Sequence, residues 1–131
     1  MTTTAQLVTG VDFVPLSTHD LEAAVEFYST TLGLPCSVHI AERHYAEFET
    51  GNLTLSVIDA EKMGLEHHLQ GLAIALHVED VADARKTLEE RGVAFHGDTL
   101  DTGVCHMAFF NDPAGNALML HHRYAPRVPQ Q

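Results

Sequence analysis

The chain has 131 residues, 45% of them apolar, enough for the core of one compact domain or of two small fused modules. Against 18 Asp and Glu it carries only 7 Lys and Arg, a formal charge of −11, so nucleic acid and anionic membrane surfaces are poor partners. The opening MTTTAQLV lacks the basic start and long apolar core of a signal peptide, and no apolar run is long enough to span a bilayer, so the cytoplasm is the expected location.

The first predicted strand is VDFVPLS, residues 11–17. Asp20 then opens a segment with apolar residues at Leu21, Ala24, Val25 and Tyr28, the spacing of one helix face. An Asp before a helix accepts hydrogen bonds from the free N–H groups of the first turn, and Glu22 suits the positive helix end. Gly33 supplies the left-handed stop. Short strands follow near residues 35–41, at HYAEF (44–48), and at NLTLSVI after the Gly51-Asn52 turn.

AEKMGLEHHLQ, residues 60–70, reads as a linker, and beyond it the pattern starts again. LAIALHV (72–78) is strand-like, Asp80 caps a helix with Val81, Ala84 and Leu88 on one face, and Gly92 ends it. A strand is expected near 94–99. HMAFF (106–110) answers HYAEF, and Gly115-Asn116 opens NALMLHH as Gly51-Asn52 opens NLTLSVI. The tail after Tyr124, APRVPQQ, is Pro-bearing and expected to be loose. Cys36 and Cys105 have no CxxC or zinc-ribbon spacing and read as reduced, packed thiols.

The expected fold is therefore α+β: one domain over residues 1–131 built from two βαβββ modules, 8–59 and 71–124, joined by the 60–70 linker. The two modules are expected to pair into curved sheets around a cavity. Edge strands left by each module call for a covering partner, and a homodimer is the commonest solution.

The segments DLEAAVEFYSTTLGL and FFNDPAGNALML resemble the vicinal-oxygen-chelate superfamily, the group of glyoxalase I, fosfomycin-resistance enzymes, extradiol dioxygenases and bleomycin-resistance proteins. The resemblance runs from about Val11 to His122. Enzymes of that family hold a divalent metal with four side chains, usually two His and two Glu or Gln, one from each of four inward-facing strands. Carried onto this sequence, the first ligand position falls on Phe13, the third on Ala73 and the fourth on Met119. The second lies among Thr54, Leu55 and Ser56, where the register is open. Phenyl, methyl and thioether groups do not hold a hard or borderline dication, so no metal and no cofactor is expected at this centre.

Strand alternation assigns companions to those positions. Met119 brings His121, and Ala73 brings Ala75 and His77. The family resemblance turns Phe109 inward, with Met107 and Cys105 beside it, and the repeat adds Tyr45 and Glu47. The expected ligand-binding set is thus Phe13, Tyr45, Glu47, Ser56, His77, Met107, Phe109, Met119 and His121, with no catalytic residue assigned. Apolar walls, adaptable methionines and a few polar points fit a small-molecule site. Burying Glu47 would favour a cationic guest. The expected function is metal-independent binding or sequestration of an aromatic or cationic drug-like compound, as in the bleomycin-resistance branch. The alternative is a glyoxalase-like lyase, isomerase or dioxygenase with an unconventional site. No pair of histidines with a nearby carboxylate stands out in the sequence, and GxSxG, P-loop and GxGxxG patterns are absent.

Overall fold

The structure, a computed structural model, describes residues 5–127. The expectations for the first four residues and for the end of the tail lie outside the described residues. In chain order the elements are β1 (Phe13–Ser17), α1 (Leu21–Glu26), β2 (Cys36–Ile40), β3 (Tyr45–Glu49), β4 (Thr54–Ile58), β5 (Ile74–His77), α2 (Val81–Glu90), β6 (Phe95–Asp101), β7 (Cys105–Asn111) and β8 (Ala117–Arg123). They form two four-stranded mixed sheets, ordered β1-β4-β3-β2 and β5-β8-β7-β6. The sequence repeat is thus a structural repeat. In each sheet the first strand pairs parallel with the last, and the remaining pairs are antiparallel.

Both helices start where the sequence places them. Asp20 and Asp80 are extended, and their carboxylates accept the N–H of Ala23 and Asp83 at 3.1 and 2.9 Å, satisfying one free donor of each first turn. The first helix does not end at Glu26. It widens to π geometry over Phe27–Thr31, with the Leu32 N–H reaching back to the Phe27 carbonyl at 2.9 Å. Widening lets two consecutive aromatics both enter the core. Tyr28 stacks on Phe48 of its own sheet at 5.3 Å between centroids, and Phe27 reaches Phe110 of the second sheet at 6.4 Å. His44, assigned to a strand from sequence, instead takes a left-handed conformation (φ 68°) at the turn before β3.

Alternation sorts each strand into a helix-facing row and an outer row. In the first sheet Leu16, Ala46, Phe48, Leu55 and Val57 are buried under α1; in the second, Ala108, Phe110, Leu118 and Leu120 are buried under α2. These two rows belong to one continuous core. Within one chain the modules therefore meet through their helix-bearing sides.

A buried polar clasp accompanies that packing, and it explains the NDPAGN segment. The Tyr28 hydroxyl donates to Asp112 Oδ2 at 2.6 Å across 84 residues of sequence. Asp112 Oδ1 accepts the backbone N–H groups of Ala114, Gly115 and Asn116. The Asn116 amide donates to Asp112 Oδ2 and to the Ser17 carbonyl, each at 2.8 Å, while its oxygen accepts the Gln70 N–H at 2.8 Å. One Asn thus ties the first module, the connecting segment and the second module together. Every polar atom it buries is paired, as a dry interior demands. Burial, the Asp112 charge and this hydrogen bond together hold the Tyr28 phenol far above its usual pKa, so it stays a donor.

The cysteine expectation is half corrected. Both thiols are free, but only Cys105 is packed; Cys36 is exposed at the start of β2, where its strand forms the sheet edge.

Candidate functional site

All nine expected ligand residues fall at outer-row positions, in two groups, with His77 at the end of its row. In the first sheet the cross-strand row Pro15–Ser56–Glu47–Val38 runs beside a second row, Ser17–Ile58–Tyr45–Ile40, and a third, Phe13–Thr54–Glu49. In the second sheet Ala75–Met119–Phe109–His96 runs beside His77–His121–Met107–Leu100. The repeat can now be read row against row: Ser56 corresponds to Met119, Glu47 to Phe109 and Tyr45 to Met107. This fixes the register left open from sequence, since Leu55 is fully buried on the helix side.

The four positions that would hold a metal are then Phe13, Ser56, Ala73 and Met119. They offer a phenyl ring, a hydroxyl, a methyl and a thioether. That donor set does not fit a zinc- or iron-type dication, which takes imidazole, carboxylate or thiolate ligands.

The two outer faces differ in character. The first carries two carboxylates, Glu47 and Glu49, on one side of β3, ~7 Å apart along the strand. Glu49 is held by the hydroxyls of Ser37 at 2.5 Å and Thr54 at 2.6 Å, and these bonds, Ser37 first, lower its pKa. Sequence reasoning missed Glu49, although its parity with Glu47 was a sufficient signal. The second face carries Met107, Phe109, Met119 and Leu100, with His96 and His121 beside them. Arg123 ends that face, and its Nε–H is the one buried side-chain polar atom without a partner among the described residues. An N–H in that state asks for an acceptor.

Both faces remain partly open in one chain. Phe13 is 52% exposed and Leu100 also 52%, while Tyr45, Glu47, Met107, Phe109, Met119 and His121 are half-buried; Ser56 is buried. Depressions of about 260 to 420 Å³ lie elsewhere on the described residues, and His77 borders one of them. The modules join through their helix-bearing sides, so the two outer faces are not brought against each other within the chain. His77 departs from the set. It ends the edge strand β5, and its ring turns to Glu79, 3.1 Å away, and to His122, 5.7 Å between centroids.

The connecting segment also contributes. His67 Nδ1 lies 2.7 Å from the Ser17 hydroxyl and its ring stacks on His19 at 3.7 Å, pinning residues 60–70 over the end of β1. His19 in turn faces Glu61 at 3.1 Å.

Two four-stranded mixed sheets, each backed by one helix, define a two-module α+β protein of the glyoxalase type. Residues 10–120 match the family model of the Glyoxalase/Bleomycin resistance protein/Dioxygenase superfamily, and the chain belongs to that superfamily. It is 29% identical over 120 residues to the uncharacterized protein YraH of Bacillus subtilis (strain 168), covering 82% of this chain and 94% of that one. Among solved structures it is similar to a glyoxalase/bleomycin resistance protein/dioxygenase from Nocardioides, at 26% identity and TM-score 0.76, with 97% and 91% of the two chains covered. It is also similar to TnmS3, an antibiotic binding protein from Streptomyces sp. CB03234, at 26% identity and TM-score 0.75, with 91% and 99% covered.

Proposed function

We propose that this protein binds and sequesters an aromatic, cationic small molecule of antibiotic type without using a metal at the family's usual ligand positions. The observation that carries the reading is the pairing of surfaces: an acidic face with Glu47, Glu49, Tyr45 and Ser56, and an apolar face with Phe109, Met107 and Met119. A guest with a flat apolar body and a positive group matches both. The thioethers reshape around rings, and the carboxylates take the cation once water is excluded. The antibiotic-binding relative supports the same class of ligand.

We further infer that a second copy closes the site. Phe13 and Leu100 stay half-exposed on the open faces, and a two-fold arrangement would set the acidic face of one protomer against the apolar face of the other. The binder would act in the cytoplasm; no helix of the described residues is long and apolar enough to cross a membrane.

The test is calorimetry and thermal shift with a panel of aromatic natural products in matched cationic and neutral forms, run with and without EDTA. A ligand at about 100 times its Kd adds ~2.7 kcal/mol to the bound state, a shift of many degrees. Cationic members are expected to bind in either buffer, and Glu47→Gln to weaken them at least about fivefold while leaving neutral analogues nearly unchanged, a coupling of ~1 kcal/mol or more. A panel without any stabilising member, or binding that disappears in EDTA and returns with a dication, defeats the proposal.

A further inference from the structure

His77, Glu79 and His122 lie together at the edge of the second sheet, apart from the family's usual metal positions. Their ligating atoms all fall within 4.8 Å of one another. We propose that these three side chains bind one divalent transition-metal ion of the zinc class at the junction of β5, α2 and β8.

Three features of the local structure converge on this. The first is donor chemistry, since two imidazoles and a carboxylate are the ligand types that zinc, nickel and copper take. The second is the state of His122. Its Nδ1 lies 3.1 Å from the Val78 carbonyl, which can only accept, so Nδ1 carries the proton and Nε2 keeps its lone pair free. A ligand histidine that donates its other N–H to a carbonyl is the usual way such a ring is oriented. The third is the backbone that holds the pieces. The Val78 N–H donates to the His121 carbonyl at 3.0 Å, so the chain at 77–79 is laced to 121–122 from both sides. At this strand end the His77 ring comes within 5.7 Å of the His122 ring, centroid to centroid, with Glu79 beside it.

The geometry needs little adjustment. His77 Nε2 and Glu79 Oε1 are 3.1 Å apart. Bonds of ~2.0–2.2 Å in tetrahedral array put donors ~3.3–3.6 Å apart, so the widest gap closes by at most about 1.5 Å. The side chains of His77 and Glu79 are 65% and 90% exposed and free to turn. A depression of about 340 Å³ lined by Glu79, Asp80, Thr99, His106 and His122 adjoins two of the three side chains, with room for water or a ligand oxygen. His106 is the cross-strand partner of His122 and stands next in line as a donor. Such an ion would fasten the end of an edge strand to its neighbour. The sequence did not reveal this site because His122 is 43 residues from Glu79 and only the β5–β8 pairing brings them together.

Untagged full-length protein, stripped with EDTA and exchanged into chelator-free buffer, is titrated with Zn²⁺ by calorimetry and with Co²⁺ by visible absorption. The expected result is one equivalent bound, with the intense d–d bands of a low-coordinate cobalt site. His77→Ala and Glu79→Gln, both exposed and checked for unchanged circular dichroism, are expected to weaken binding at least tenfold each, and His122→Ala to abolish it. His68→Ala removes a surface His–Glu pair of the same kind, 2.8 Å from Glu66, and is expected to change nothing. The proposal is overturned if no stoichiometric binding is seen at tens of micromolar metal, or if His77→Ala and Glu79→Gln bind as the parent does. Loss of binding in His68→Ala would overturn it too. Small-molecule binding enters none of these readouts, so failure here and failure of the proposed function are separate results.

Discussion

Replacing Tyr28 by Phe removes a single oxygen from the centre of the clasp and leaves the ring stack on Phe48 in place. The hydroxyl donates to Asp112 at 2.6 Å, and Tyr28 has no exposed surface, so water cannot replace it. A hydrogen bond to a charged group is worth about 1.5–3 kcal/mol. Asp112 Oδ2 keeps the Asn116 amide and Oδ1 keeps three backbone donors, which holds the loss within that range. At roughly 3–5 °C per kcal/mol for a chain of this size, Tyr28→Phe should lower the melting temperature by about 5–15 °C at pH 8. The same residue sets a pH signature. Its pKa is raised in the folded state above the ordinary value of 10.0, so the unfolded chain loses that proton first as pH rises. The stability that the phenol contributes is whole below pH 10 and declines above it, by about 1.4 kcal/mol at pH 11. The gap between parent and variant should therefore narrow between pH 9 and pH 11, while titrations common to both cancel. Urea unfolding at fixed protein concentration across that range measures it. A gap below 0.5 kcal/mol at pH 8 (about one third of the smallest expected value), or one that stays constant to pH 11, refutes the account of the clasp.

Two further substitutions test other parts of the fold. Gly115→Ala should cost about 1–3 kcal/mol, because φ is +104°, and the added methyl would also sit 3.2 Å from Leu69. Gly51→Ala, at φ +110° with open space around it, isolates the backbone part; chemical denaturation of both variants checks the pair. Phe13→Ala should leave a dilute single chain within about 1 kcal/mol of the parent, since the ring is half-exposed already. On closure by a second copy, the other half of the ring, roughly 100 Å², would be covered, worth about 2.5 kcal/mol per protomer. Sedimentation equilibrium would then show dimerisation weakened well over tenfold; an unchanged association constant removes Phe13 from that interface.

Much of this protein was legible without coordinates, and the reasons are local. A strand's side chains alternate because the backbone is pleated, so Ala46 and Phe48 had to share one face and Tyr45 and Glu47 the other, and the structure agrees. Asp20 and Asp80 had to cap because helix starts leave free N–H groups. The repeat of those signals marks two modules, and the DLEAAVEFY and NDPAGN segments carry the resemblance to the family that residues 10–120 match. The poverty of Phe13, Ala73 and Met119 as metal ligands follows from their chemistry alone.

Tertiary structure decided what local rules leave free. Spacing from the Gly-Asn turns aligns Met119 with Leu55, but pairing with neighbouring strands puts Ser56 there, because register is settled across a sheet and not along a strand. Nothing in either module's pattern says which of its faces meets the other module. The structure joins the helix-bearing sides through Phe27, Phe110, Tyr28 and Asp112, leaving the outer faces open. Likewise Glu79 and His122 carry no mark of each other until β5 lies beside β8. Alternation and capping act over a few residues and are written in them; docking and side-chain convergence depend on the fit of surfaces far apart in the chain, and only the folded molecule brings those surfaces together.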